Sequence, residues 1–407
     1  MMLARDFEQT ESTATNPELI VHCDWSLSQR KRWCATARRS SDGEYHVDPP
    51  LLVGTLDSFF ERLRAETRLG PIFVGFDFPI GIPRLYAERA GISRFPDLLL
   101  ELGEGRWAEF YTPAEKPDQI SLTRPFYPLA PGGTSTQHLY DGLGLNSARS
   151  LLRRCDCASA TRNQACEIFW TLGANQVGRA AISGWRDVLA PAVRDGAIKL
   201  WPFDGEMTDL LQPGSIVVAE TYPAEVYSHL GLVRNFGKRK HVGRQSQCDA
   251  ILSWCGRNSV RLHRIVDLEI RDGFGDSDIS EDKFDTVIGL LGMIEVAQHT
   301  PRFAAPADPA VRNVEGWILG MPTESEPIGS VLPEIYVRPS RSRSGPNVVV
   351  PVVQTGDDPG RICPACGRKR FVRWPWGWDA HAAHSCTGVQ GETPEQRKRL
   401  FKDRFLP

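Results

Sequence analysis

PIFVGFDFPIGIP, residues 71–83, is an almost unbroken apolar run that halts at Asp77 and breaks at Pro79, the pattern of a buried strand that delivers a carboxylate to its end. The same logic appears upstream in LIVHCDWS, residues 19–26, which stops at Asp24. It appears a third time in SIVVAETYPAEVYSHLG, residues 215–231, where an apolar strand ends at Glu220 and a Pro-punctuated turn leads into a predicted helix. Between the first two, residues 30–39 and 44–53 read as further strands joined by the Ser-Ser-Asp-Gly turn at 40–43. SFFERLRAETRLG, residues 58–70, has helical apolar spacing and stops at Gly70. EDKFDTVIGLLGMIEVAQH, residues 281–299, repeats apolar residues at helical intervals and opens with acids, as a helix N-terminus favours. Strands alternating with helices predict an α/β domain with a largely parallel sheet, whose ligands gather beyond the carboxyl ends of the strands.

Five carboxylates therefore become candidates. Asp24, Asp77 and Glu220 each stand where a buried strand gives out, and Asp282 and Asp285, three apart on a helix, share a face. Taken singly, each is more simply a turn or helix cap. Crowded into one cleft they would repel one another by several kcal/mol unless cations intervened, and all-oxygen ligation suits Mg²⁺ or Mn²⁺ rather than zinc.

The 407 residues suffice for two or three domains, and 41% apolar with 24% charged residues is ordinary for a globular protein. The first residues lack the apolar core of a secretory signal, and no stretch is long and apolar enough for a membrane helix. A cytoplasmic protein without a membrane partner is the expectation. Cys23, Cys34, Cys155, Cys157, Cys166, Cys248 and Cys255 then read as free thiols. The net charge of −2 conceals an asymmetry. Residues 361–407 carry ten Lys and Arg against four acids, and the remainder sums to −8. A basic appendage on an acidic body suggests an arm for nucleic acid.

FDFPIGIP (residues 76–83), with LIVHCDWS upstream, ETYPAEVYSHLG (220–231) and EDKFDTVIGL (281–290), resembles a bacterial family of predicted ribonuclease H-like nucleases, discontinuously from about residue 18 to 300. The resemblance implies a five-stranded mixed sheet flanked by helices. It also implies metals held by an acid on the first strand, an acid on the fourth, and one or two on a late helix: here Asp24, Asp77 and the pair Asp282 and Asp285. Glu220 resembles the family's Glu-x-x-Pro strand end. The implied activity is hydrolysis of DNA or RNA phosphodiesters by two metal ions, with Asp24 bridging them. The sequence departs from many relatives in Trp25-Ser26-Leu27-Ser28, which lacks glycines after the first-strand acid. That same lack of a Gly-rich phosphate loop argues against the alternative of a phosphotransferase or ATPase on this fold; a nucleic-acid-binding protein without turnover is the third reading.

Near the C-terminus, Cys363-x2-Cys366 precedes His381, with His384 and Cys386 close behind, a spacing near that of a ββα zinc module. His381 and Cys386 fit one helix better than His381 and His384, so Cys363, Cys366, His381 and Cys386 are the expected ligands of a closed, structural zinc. Arg368, Lys369, Arg370 and Arg373 surround it, and with Lys238, Arg239 and Lys240 they are candidate phosphate contacts. Arg244 lies beside that second cluster, and Asn175, Gln176 and Arg179 lie in a Gly-flanked run that would line a cleft. The predicted organisation is a disordered leader (1–17), an α/β domain (18–320) with a large insertion at about 84–215, a hairpin and linker (321–360), and the zinc module with its basic tail (361–407).

Overall fold

The computed structural model describes residues 16–323, except 57, 67–69, 146, 159–163 and 174–176, together with Gln396. Most of the leader, almost all of the linker and the zinc-module residues Cys363, Cys366, His381 and Cys386, with Arg368, Lys369, Arg370 and Arg373, lie outside the described residues, as do Asn175 and Gln176.

Eight strands form one mixed sheet: β1 (Leu19–Asp24), β2 (Trp33–Arg39), β3 (Tyr45–Val47), β4 (Leu51–Leu52), β5 (Ile72–Phe76), β6 (Lys199–Leu200), β7 (Ile216–Glu220) and β8 (Val260–Leu262). Their spatial order is β6-β7-β5-β1-β2-β3-β8, with β4 pairing β2 off that path. β1, β5, β7 and β6 run parallel, and β2 lies antiparallel to β1 and β3. The segment 44–53 splits into two short strands because Asp48-Pro49-Pro50 interrupts it, and proline brings no N–H to a ladder.

Every residue of β1, β5 and β7 is buried, as expected for strands covered on both faces. Alternation sorts their side chains between two cores. Leu19, Val21, Cys23, Val74, Phe76, Ile216 and Val218 face the segment between β5 and β7. That segment is a set of short helices and turns knit by aromatic contacts, among them Phe95 and Phe126 edge-on to Trp185 and Phe126 edge-on to Phe169. The insertion is therefore half of the core. Ile20, Phe73, Val217 and Ala219 face the other core, built with later elements.

Helix α1 (Phe59–Glu66) leads into β5. On the second face stand α2 (Cys248–Arg257), α3 (Arg264–Arg271) and the central α4 (Ser280–Gln298), buried nearly all round. The helix expected after Glu220 is instead one 3-10 turn, Pro223–Glu225, followed by turns up to Gly231 at φ +75°. Of the cysteines expected to be free, Cys23, Cys34, Cys248 and Cys255 are free thiols. Among the described residues no helix is long and apolar enough to cross a membrane.

Candidate functional site

Asp24 closes β1, and Asp77 immediately follows β5. His22 pairs with Gly75 and Cys23 with Phe76, and the Asp77 N–H donates to the Cys23 carbonyl at 3.0 Å, so the two aspartates are neighbours in register at the carboxyl ends of adjacent parallel strands. Two-residue alternation places both on the α4 face: Asp24 shares the side of Ile20 and His22, Asp77 that of Phe73 and Gly75.

Helix α4 brings Asp285 to them. It comes close because side chains are missing at the crossing. A Cβ on Gly75 would stand 2.5 Å from the Met293 sulfur and from a Thr221 methyl, and one on Gly289 would stand 2.1 Å from the His22 ring. His22 ties three elements together beneath the carboxylates: Nδ1 meets the Thr286 carbonyl at 3.0 Å and Nε2 meets Thr221 Oγ1 at 3.0 Å. Burial pushes its imidazole down to about 4, against the opposing bond to Thr286, so the ring is neutral at physiological pH.

The acids repel one another. Burial first, then Asp77, Asp285 and Asp282, raises the Asp24 carboxyl well above the ordinary range, with Lys238 opposing. Burial and then Asp285 push Asp77 up to about 7, although Asp77 keeps partial exposure and opens the cluster to solvent. Asp285 is only 7% exposed; one oxygen accepts from Lys238 Nζ at 2.6 Å, and Oδ1 is buried without a hydrogen bond. Asp282, half-buried on the same helix face, also has a buried oxygen, Oδ2, without a hydrogen bond.

Glu220 is turned away. It pairs with Phe76, one position short of the Asp77 level, so its side chain leaves the opposite face of the sheet; Thr221 occupies the site side instead. Both Glu220 oxygens are bound: Arg153 donates Nη1 to Oε2 at 2.5 Å and Nη2 to Oε1 at 2.7 Å, and the Ile80 N–H adds 2.6 Å. Arg153, 1% exposed, is held on its other side by Asp156 and fastens the insertion to the sheet.

The basic candidates also separate. Lys238 stands inside the cluster, 3.3 Å from Glu281 as well as against Asp285. Burial works against its charge, but Asp285 outweighs burial and keeps the ammonium above the ordinary lysine range. Arg239 and Lys240 are exposed on the adjoining loop. Arg244 is buried and donates to the carbonyls of Lys238, Gly273 and Gly275, which fixes the loop that presents Lys238. Arg179 spends its guanidinium on the carbonyls of Thr171 and Leu129 and is architectural.

His22, Arg153 and Tyr227, whose buried hydroxyl has no hydrogen bond and lies in the field of Asp285 and Lys238, are not among the residues the sequence singles out. A histidine two residues before Asp24 in an otherwise apolar strand was a legible signal for the first; the others carry none. Among the described residues, no three His, Cys, Asp or Glu side chains already form a metal cage. The donors nevertheless suit a hard cation: carboxylate oxygens, two of them buried without hydrogen bonds, in a cluster whose charges repel. Mg²⁺ characteristically keeps several waters and takes only one or two carboxylates from the protein. The chain matches no family model, no curated protein and no solved structure.

Proposed function

We propose that this chain is a metal-dependent nuclease with a ribonuclease H-like domain, hydrolysing phosphodiester bonds in DNA or RNA. The observation that carries the reading is the pairing of Asp24 and Asp77 at the ends of neighbouring parallel strands, facing Asp285 across a helix that comes unusually near. The sheet supports it too: setting aside the two-residue β4 and the edge strands β6 and β8, β3-β2-β1-β5-β7 is a five-stranded mixed sheet in which the acids follow the first and fourth strands in sequence, with Asp282 and Asp285 on a late helix.

Asp24, Asp77 and Asp285 would hold the divalent ion, with Asp282 beside them, and Glu220 serves the fold. Bound there, Mg²⁺ or Mn²⁺ supplies Lewis-acid activation of water and of a phosphoryl oxygen. The protein's own part is to fix the carboxylates: His22 holds β1, α4 and Thr221 in one arrangement, and the two glycines set the helix-to-sheet distance. Arg239 and Lys240, exposed next to the cluster, suit a polyanion that the acids alone would repel. The phosphotransferase reading is disfavoured because Trp25, directly after Asp24, is buried with its indole N–H on Ser183 Oγ, where a phosphate loop would be needed. The C-terminal segment is proposed to hold structural zinc at Cys363, Cys366, His381 and Cys386, which elemental analysis of wild type and Cys363→Ser tests directly.

The decisive experiment incubates purified protein with labelled single- and double-stranded DNA and RNA in Mg²⁺, Mn²⁺ or EDTA. Cleavage that needs a divalent ion and disappears in Asp24→Asn is expected. Absence of cleavage on all four substrates, with polynucleotide still bound, would replace the nuclease with a binding protein.

A further inference from the structure

We infer that the carboxylate site takes one divalent cation, and that the Lys238 ammonium supplies the second positive charge that a two-metal site would draw from another ion. The inference rests on the metal-site reading above and deepens it. Three carboxylates, Asp24, Asp77 and Asp285, make the inner cluster once Glu220 is seen to face away under Arg153. Lys238 already neutralises one of them. Because its ammonium already occupies Asp285 Oδ2, the open donors of the inner cluster are Asp24, Asp77 and Asp285 Oδ1, a set for one ion, while Asp282 and Glu281 lie at its edge with Glu281 itself engaged by the lysine.

The lysine is built in. It sits 2.6 Å from Asp285 Oδ2 and 3.3 Å from Glu281 Oε1, in a loop whose backbone is pinned at Lys238 itself by the buried Arg244. An ammonium has three donors, so with two carboxylates engaged one N–H remains for an incoming phosphoryl oxygen. Two buried groups point to a missing ligand. Asp285 Oδ1 has no hydrogen bond, and the Tyr227 hydroxyl, on a residue 6% exposed, has none either while lying in the field of Asp285, Lys238 and Asp77. A hydrated cation bound between Asp24, Asp77 and Asp285 would satisfy both, through direct ligation and through a coordinated water.

The test counts Mn²⁺ bound by the full-length, zinc-loaded protein, by calorimetry and by loss of the free Mn²⁺ resonance signal, taking as site-specific only the binding that Asp24→Asn removes. Wild type should bind one equivalent, Lys238→Arg one, and Lys238→Met two, because removing the ammonium vacates a cation position. Two equivalents in wild type, or an unchanged single equivalent in Lys238→Met, would overturn the lysine's role while leaving the metal site intact. No Asp24-dependent binding in any of the proteins would overturn the metal site, and this inference with it.

Discussion

Arg153 grips Glu220 through two parallel hydrogen bonds of 2.5 and 2.7 Å while its other edge holds Asp156, so one buried cation joins β7 to the insertion. Removing one partner of such a pair leaves an uncompensated buried charge, which costs about 3–5 kcal/mol. Arg153→Met and Glu220→Gln should therefore lower the urea midpoint strongly, and by the same amount with EDTA or with Mn²⁺. A Glu220→Gln protein of wild-type stability that no longer responds to Mn²⁺ would return Glu220 to the metal site.

Asp24 and Asp77 should behave in the opposite way. Burial and neighbouring acids, Asp77 and Asp285 for Asp24 and Asp285 for Asp77, hold their carboxyls above the ordinary range, so each is a liability in the metal-free protein. Asp24→Asn and Asp77→Asn are expected to melt at or above the wild-type temperature in EDTA, and to lose the rise that Mn²⁺ gives the wild type by mass action. Calorimetric scans with and without Mn²⁺ distinguish this from a capping role, whose loss costs about 0.5–2 kcal/mol whether or not metal is present.

The contrast between these acids marks how far the sequence could be read. Asp24 and Asp77 were legible because an apolar run ends at each, and Asp285 because helical spacing is local. Glu220 shows the same local signature, yet it belongs to the other face. What separates them is the pairing of Glu220 with Phe76 rather than with Asp77, a relation between strands more than 130 residues apart that no local pattern contains. The basic cluster divides for a similar reason. Lys238 and Arg244 look alike in sequence, and only their distant partners, Asp285 for one and the carbonyls of Gly273 and Gly275 for the other, give one a place in the site and the other a place in the scaffold. The insertion was legible as aromatic and irregular, but its role as half of the core depends on side-chain alternation in β1, β5 and β7.

Gly289→Ala tests the close approach of α4. In an ordinary helix the change gains up to about 1 kcal/mol from propensity. Here the added methyl would stand 2.1 Å from the buried His22 ring, and overpacking of that kind costs roughly 1–3 kcal/mol or more. The clash should win. Chemical denaturation is expected to show a destabilised protein, with a weakened Mn²⁺ response because the helix carrying Asp285 is displaced. A stabilised Gly289→Ala protein would mean that the helix stands farther from the sheet.

His22 gives a pH dependence with a definite sign. Its imidazole is pushed down from 6.5 to about 4 in the folded protein, so between these values the unfolded chain binds more protons and stability rises with pH. The contribution is fully present above pH 6.5 and is lost as pH falls toward 4, by up to about 3–4 kcal/mol given ~1.4 kcal/mol per unit. Asp77 acts oppositely in an overlapping window: its folded value is raised to about 7, so its cost grows as pH rises from 3.8 toward 7; Asp24, Asp282 and Asp285 are raised as well, and the wild-type profile sets His22 against all of these acids. His22→Gln separates them, because the amide retains donor and acceptor groups but does not titrate. Urea unfolding in EDTA at intervals from pH 4 to 8 should show wild type gaining stability on the variant as pH rises through the window, with the gap constant above pH 7. A gap independent of pH would mean that His22 is not held neutral, and that the bonds to Thr286 and Thr221 do not define the junction beneath the carboxylates.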